Sequence, residues 1–560
     1  MDAKIWALRR EIPAGPSPWK ALAAAWNLEP RLARLAWLRG VDRPEDLGWR
    51  LDPSWARSTD PHLLPGVDAA VARIRRAVEA RERIVVYGDY DVDGVTATAL
   101  LVRALERIGA DVSFFIPNRF SDGYGLHLDC IRELKEARDP GLIVSVDCGV
   151  RSVAEVKASA ELGLDWVITD HHALGPELPP ACAVVHPHLD GYANPFLAGV
   201  GVAFKLAQAL LGAVPHPTGA DAAFLDGMLK LVAIGTVADV MPLRDENALL
   251  VRRGLDSLGG KNGPGLAALL RAAKKEGALG GQDIAFGLAP RLNAVGRMGG
   301  AEDAVRLLLT RDAAEAEVLM ARVEALNQER RAIQEELASR LPRPDGAAFD
   351  LALDPTAHKG VIGIVAGHRM RATGRPAGVC TVIDGVAHCS LRAPEGYDLG
   401  ELLVLAQPFI LGGGGHRAAA GLSFEASRLA FVRQALERGA QSQAAQAQAR
   451  GRAIQPLLVD GAPGDLPDDA DLARLEPFGQ GFAPPLARLE GPVASSSSFG
   501  ADHWKLRLAG LSDPVTWFAG HTRPAQPQVG DRLCVSATPQ GSARWGRSWL
   551  VDAPLGEMAP

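Results

Sequence analysis

Residues 88–94 read GDYDVDG, so Asp89, Asp91 and Asp93 recur at every second position directly after the apolar run IVVY at 84–87. In an extended segment alternate side chains share a face and repeat about every 6.6–6.8 Å, which lets the carboxylates converge. Unit charges about 6 Å apart repel by roughly 2–3 kcal/mol at an effective dielectric near 20. Such a stretch either holds a cation or is a solvated turn. Further groups of the same type follow: Asp147 in SVDCG, Asp170-His171-His172 in VITDHH, and Asp239 in GTVADVMPL. Carboxylate with imidazole suits Mn²⁺, and Mg²⁺ less well because of the histidine. One bridging aspartate with ligands on either side would hold two ions about 3.5–4 Å apart, the geometry for in-line phosphoryl displacement. An aspartate after a strand is more often a helix N-cap. The signal lies in the conjunction.

That conjunction requires a common edge. From residue 84, short apolar runs alternate with amphipathic helical stretches: RIVVYGDYD, VTATALLVRALERIG, DVSFFIPNR, DCIRELKEARD, GLIVSVD, VAEVKASAELG, DWVITDHH and CAVVHPH. The alternation predicts a parallel sheet covered on both faces. Ligands of such sheets bind beyond the carboxyl ends of the strands, where Asp91, Asp147 and Asp170 fall. Residues 1–75, rich in Trp and Arg, read as a helical preface. Residues 312–341 carry Leu319, Val323, Leu326, Ile333 and Leu337 at near-heptad spacing and predict one long helix. A second α/β unit spans about 345–438, AQSQAAQAQARGRA reads as a linker, flexible or weakly helical, and 455–560 has the short alternating strands of a small barrel.

The bulk properties narrow the class. At 560 residues the chain needs several domains, and 47% hydrophobic with 22% charged residues is ordinary for a globular protein. A net charge of −6 argues against coating nucleic acid by charge alone, though not against a local basic groove. The cysteines at 130, 148, 182, 380, 389 and 534 form no C-x-x-C pair, which points away from a disulfide framework or zinc finger and toward a reducing cytoplasm. No secretory or membrane-spanning pattern is expected, and nothing demands more than a monomer.

GDYDVDGVTATALL, SVDCGV, VITDHH and GTVADVMPL, in that order, resemble the motifs of the DHH phosphoesterase superfamily. IPNRFSDGYGL, LAGVGVAFKL, APRLNAVGRMG, HKGVIGIVAG and LEPFGQGFAPP resemble segments of its single-strand-specific 5′→3′ exonuclease branch. The resemblance implies an α/β protein: a parallel-sheet DHH domain (76–260) after the helical segment 1–75, a helical connector (261–344) with the long helix, a smaller α/β DHHA1 domain (345–438) and a C-terminal β-barrel of OB-fold type (455–560). It implies two divalent cations, Mn²⁺ preferred or Mg²⁺, on Asp89, Asp91, Asp93, Asp147, His171 and Asp239, with Asp147 as the bridge. His172 would touch the scissile phosphate or support the ligands from behind, and Asp170 would orient a histidine. The pyrophosphatase relatives carry a histidine in the first motif where this chain has Tyr87.

The resemblance extends to substrate binding. GGHRAAAG resembles the DHHA1 signature, with His416 facing a cleft between lobes; by itself LGGGGHRAAAG reads as a tight turn, or as a phosphate-binding run ahead of a helix. Arg291, Arg297, Ser390 and Arg392 would receive a 5′-terminal phosphate, since guanidinium offers two parallel hydrogen bonds. The usual Gly-Ser-x-Arg-Ser spelling is altered here by Cys389 and Ala393. Arg119 and Tyr124 would contact and stack on the incoming strand, and Trp504, Lys505, Trp517, Phe518, Trp545, Arg547 and Trp549 could track it on the barrel. The implied partner is single-stranded DNA with a 5′ end, in recombination and repair, with a single-strand-binding protein and a repair helicase as candidate protein partners. Two alternatives stay open: a DHH phosphoesterase acting on pyrophosphate, oligoribonucleotides or cyclic dinucleotides, and a non-catalytic DNA-binding member.

Overall fold

The computed structural model describes residues 4–13, 15–119, 123, 125–212, 219–449, 457–499, 503–518, 526–541 and 547–558. The chain forms two compact units: Arg10–Asn327 with Gly464–Pro485, and Met1–Arg9 with Gln328–Pro463 and Leu486–Pro560. Strand β1 (Lys4–Leu8) belongs to the second unit.

The first unit is built on β2 (Arg83–Gly88), β3 (Asp111–Phe115), β4 (Leu142–Val146), β5 (Asp165–Thr169) and β6 (Ala183–Val185), in the order β3-β2-β4-β5-β6 with every pairing parallel. β4 is buried at every position, as a strand covered on both faces must be. The strand order reverses between β2 and β4. That reversal opens a crevice at their carboxyl ends, where Asp89, Asp91 and Asp147 emerge. The helix Val92–Arg107 begins on the Asp91 side chain, which accepts from the Asp93 and Gly94 N–H groups; such a cap contributes about 1 kcal/mol. Its Val95, Leu100, Leu101 and Leu105 are all fully buried in the main core, each contributing about 1.5–3 kcal/mol relative to exposure.

The second unit holds a mixed sheet of β7 (Asp350–Leu353), β8 (Ala377–Ile383), β9 (Val386–Arg392), β10 (Gly412–Gly415) and β11 (Ala419–Glu425), ordered β10-β11-β9-β8-β7. Asp384 (φ 49°) and Gly385 (φ 79°) join β8 to β9, both in the left-handed region that a tight hairpin turn needs. Further along, β12 (Leu457–Val459) precedes β13 (Ala487–Phe499), β14 (His503–Leu508), β15 (Val515–Phe518), β16 (Arg532–Gln540) and β17 (Ser548–Met558). Because β17 pairs with both β15 and β16, the last five close into a barrel. The predicted long helix is observed as Ala313–Arg340, with Leu319 and Val323 in the main core and Leu337 among the buried residues of the second unit.

Three expectations change, and one open reading is resolved. The preface is not wholly helical: β1 pairs in parallel with β12 and β17, so the start of the chain completes the barrel sheet. Of the two readings of the Ala/Gln-rich stretch, the helical one holds through residue 449, in the helix Leu429–Ala449. The glycine run leads to no helix; it is edge strand β10, paired with β11. The cysteines are not all unpaired thiols. Cys380 and Cys389 stand opposite each other on β8 and β9, with Cα atoms 4.0 Å apart, and form a disulfide. Antiparallel register brought together residues that spacing alone kept apart. Among the described residues, no helix is long and apolar enough to cross a membrane.

Candidate metal centre

Asp147 follows β4 in the left-handed region (φ 62°), and its N–H donates to the Thr169 carbonyl at 3.0 Å. A non-glycine residue there is strained, and strain of this kind concentrates at functional sites. The turn directs its carboxylate toward His171, whose Nε2 lies 3.1 Å from Asp147 Oδ1, 3.6 Å from Asp239 Oδ2 and 3.7 Å from Asp93 Oδ2. Although Asp147 Oδ1 and His171 Nε2 are close, they are not aligned as a hydrogen bond. Asp147 Oδ1, His171 Nε2 and Asp89 Oδ1 are buried without a hydrogen-bond partner among the described residues. Lone pairs aimed at one point and left unsatisfied fit a cation, because each would otherwise carry its full desolvation cost.

Ligand atoms within 4.8 Å of one another form the groups Asp147–His171–His172, Asp93–His171–Asp239 and Asp89–Asp91–Asp147. Asp147 is shared between two of them, as a bridge between two ions would be. Burial first, then the charges of Asp93, Asp91, Asp89 and Asp239, push the Asp147 carboxyl well above the usual range. Burial and Asp91 push Asp93 to about 7, and burial with Asp93 and Asp91 pushes Asp239 to about 8. A bound cation removes the cause. Burial and the neighbouring His172 lower His171 to about 3, holding it neutral, the form that ligates a metal.

Asp93 does two jobs. Its oxygens accept the N–H groups of Gly199 (2.6 Å) and Val200 (2.9 Å) at the start of the helix Gly199–Leu210. Gly199 is required there, since a Cβ would come within 2.7 Å of Asp147 Oδ1. Asp170 bonds the histidine pair: Oδ1 accepts from His172 Nδ1 at 2.8 Å and from the His171 and His172 N–H groups, and Oδ2 accepts from Val150 N–H. Burial would raise the Asp170 pKa, but the His172 hydrogen bond and charge bring it to about 2. Burial likewise opposes the charged form of His172, yet Asp170 raises it to about 9.

The remaining expected residues divide. Arg119 sits over the Tyr90 ring at 5.0 Å, and the charges of Arg119 and Arg297 both act on Tyr90 beside the acidic cluster. Tyr124 lies outside the described residues. Arg291 is engaged elsewhere: Nε donates to Glu324 (2.7 Å), and the other nitrogens donate to the Gly287 (2.6 Å) and Ala272 (2.9 Å) carbonyls. In the second unit Arg392 donates to Ser390 Oγ at 3.1 Å. A Cβ on Gly363 would stand 2.8 Å from that Oγ and 3.0 Å from the Arg392 guanidinium, so the start of the helix Ile362–Thr373 lies against the pair. His416 is exposed between β10 and β11, its N–H donating to the Ala419 carbonyl. On the barrel Trp504, Trp517 and Trp549 are 7%, 4% and 1% exposed and belong to the core. Trp545 lies outside the described residues.

Sequence reasoning missed Tyr90 and His186. Burial and Asp89 push the Tyr90 hydroxyl up to about 12. His186 donates from Nε2 to the His172 carbonyl at 2.8 Å and accepts the His188 N–H on Nδ1, fixing the loop that carries the histidine pair. Its only sequence signal is the H-P-H pattern directly after β6.

The family models for the DHH family N-terminal domain and the DHHA1 domain match residues 83–236 and 346–442. The single-stranded-DNA-specific exonuclease RecJ of Thermus thermophilus is 38% identical over 93% of this chain and 74% of its own length. The Bacillus subtilis protein of the same name is 40% identical over 74% of this chain; there the match spans about half of the relative, 53%. The solved structure of RecJ in complex with Mn²⁺ from Thermus thermophilus superposes with a TM-score of 0.80 at 32% identity, covering 100% of this chain and 81% of that one. Exonuclease RecJ bound to manganese matches at TM-score 0.59 and 38% identity, over 68% of this chain and 95% of that one. With the acidic crevice, both domain models and this extent of identity in agreement, the chain belongs to the RecJ family of single-stranded-DNA-specific exonucleases.

Proposed function

We propose that the chain is a divalent-cation-dependent exonuclease that degrades single-stranded DNA from its 5′ end to mononucleotides. The observation that carries this reading is the set of buried, unpartnered ligand atoms, Asp89 Oδ1, Asp147 Oδ1 and His171 Nε2, inside a cluster whose carboxyls repel one another. Relatives solved with Mn²⁺ and with Mg²⁺ support the same chemistry. Asp89, Asp91, Asp93, Asp147, His171 and Asp239 would hold two such ions, with Asp147 common to both. Bound there, the ions would supply charge stabilisation to the scissile phosphodiester and acidify an attacking water.

The chain's own residues do the rest. His172, kept protonated by Asp170, would place positive charge on a phosphate oxygen through Nε2 and could return a proton to the departing 3′ oxygen. Ser390 and Arg392, set against the start of the helix Ile362–Thr373, fit a terminal phosphate, which gains from hydroxyl, guanidinium and helix N-terminus together. Arg119 and Arg297 flank Tyr90 as candidate contacts to the backbone of the strand. We assign Arg291 a supporting role, because a phosphate would have to displace Glu324 to reach its Nε.

The barrel offers a platform. Phe499, His503 and Phe518 stand in register across β13, β14 and β15, with ring centroids 5.0–5.8 Å apart, and Lys505 lies 5.5 Å over Phe499. The exposed Phe518 and the half-buried Phe499 and His503, beside a cation, suit sequence-independent stacking of single-stranded bases. A single-strand-binding protein and a helicase would present such strands in repair. The test is nucleotide release from 5′-labelled single-stranded DNA with Mn²⁺. Early release of labelled mononucleotide is expected, with duplex resistant and 3′ label released last. Equal rates from both ends, or hydrolysis only of a cyclic dinucleotide, would overturn the reading.

A further inference from the structure

The segment LEPFGQGFAPP (475–485) takes no part in the chemistry above, yet it packs into the first unit against the loop that follows Asp239. Leu243 N–H donates to the Gln480 carbonyl at 2.8 Å, and Arg244 Nε donates to the Gly481 carbonyl at 3.3 Å. The approach is close: a Cβ on Gly479 would stand 2.7 Å from Cδ1 of the buried Leu243 and force it to shift, and one on Gly481 would be in ordinary contact, 3.4 Å, with Pro242 Cβ. Gly481 also has φ +74°, in the left-handed region.

Arg50 joins the two segments. It is 4% exposed, and its guanidinium donates to the carbonyls of Leu475 (3.1 Å), Pro477 (2.6 Å) and, from the other side, Leu243. Phe482 closes it in, with the guanidinium carbon 3.6 Å from the ring centroid. Glu476 fastens the segment again, accepting from the Phe478 (2.7 Å) and Gly281 (3.4 Å) N–H groups. Val240, next to Asp239, has φ 58° as the left-handed cap of the helix Gly219–Ala238, its N–H donating to the Val237 carbonyl and the Met241 N–H to the Thr236 carbonyl, both at 3.2 Å, so Asp239 lies between that helix end and the turn the strap holds at 243–244. The carbonyl of Pro242 is fixed from the far side by Asn247 Nδ2 at 3.1 Å.

We propose that residues 475–485, locked by Arg50, form a strap that sets the position of the Asp239 carboxylate. Arg50 is thus a positioning residue for the metal centre. The inference rests on Asp239 being a ligand. A planar fork satisfying three carbonyls at once cannot be replaced by an ammonium of similar length. Loosening the strap frees the turn that follows the helix cap and turns Asp239 away from His171.

The test is Mn²⁺ titration of the metal-free full chain, followed by the electron paramagnetic resonance signal of free Mn²⁺, in Gly479→Ala, Arg50→Lys, Asp239→Asn and Arg73→Gln. Arg73→Gln breaks the partly buried pairs of Arg73 with Glu82 and Asp165 elsewhere in the same unit and controls for lost stability. Gly479→Ala and Arg50→Lys are expected to weaken Mn²⁺ binding about tenfold or more, with saturating Mn²⁺ restoring most of kcat; Arg73→Gln should bind as the unaltered chain does. Unaltered Mn²⁺ affinity in both strap variants, with Asp239→Asn impaired, would overturn the strap alone. Unaltered affinity in Asp239→Asn would instead remove the ligand reading on which it rests. If Arg50→Lys does not fold, Gly479→Ala decides.

Discussion

Asp147 and His171 hold their ligand atoms 3.1 Å apart with no hydrogen bond between them, an arrangement that a cation at the shared focus would satisfy. Replacing Asp147 by Ala is expected to lower turnover by about 10³-fold or more, because charge stabilisation by the ions is worth several kcal/mol. Single-stranded DNA affinity should remain, and a filter-binding assay beside the nuclease assay separates the two. The titration behaviour gives a second expectation for the metal-free chain. Asp93, Asp239 and His172 have folded pKa values of about 7, 8 and 9, above their unfolded values, so the folded state binds more protons than the unfolded one and loses stability as pH rises. His171, lowered to about 3, opposes this only below its unfolded value near 6.5. Between about pH 6.5 and 9 the melting temperature in EDTA should therefore fall, and Mn²⁺ should remove the part that Asp93 and Asp239 contribute. The acidic cluster was legible in the sequence because four motifs occur together in one order; Asp239, read with the strand-end groups, instead follows the helix Gly219–Ala238. Tyr90 and His186 were not legible, since nothing local marks a tyrosine whose hydroxyl burial raises or a histidine that holds another residue's carbonyl.

The parallel strands and their helices could be read from β-branched runs alternating with 3.6-periodic stretches, and the observed order adds the reversal between β2 and β4 that creates the crevice. The helix Gly199–Leu210 is the element that couples scaffold to site, since its first N–H groups hold Asp93 and its first residue touches Asp147. Gly199→Ala is expected to reduce Mn²⁺ affinity about tenfold, comparable to loss of a supporting partner, measurable by the same titration as above. What the sequence hid at this scale is long-range pairing: β1 finding β12 and β17, and Cys380 meeting Cys389, depend on register between segments that periodicity cannot relate. The glycine run misled for a related reason, because glycine reports backbone freedom and not which neighbour it pairs with.

Across the whole molecule, the chain combines a metal-binding α/β unit with a unit that carries a mixed sheet and a closed barrel. The barrel's inward tryptophans could not be told from outward ones until the strand pairing was known; Trp504, Trp517 and Trp549 fill the core, and Phe518 at 55% exposure does not. Phe518→Ala with Lys505→Ala should weaken binding of long single strands by about 1–3 kcal/mol, read by fluorescence anisotropy, with less effect on a di- or trinucleotide. Equal loss on both lengths would place those residues in folding instead. All of these expectations depend on ions in the acidic crevice. Anomalous scattering from crystals soaked in Mn²⁺ tests this most directly: two peaks flanking the Asp147 carboxylate, one of them within coordinating distance of His171 Nε2, are predicted, and a map without a peak between Asp147 and His171 would contradict it.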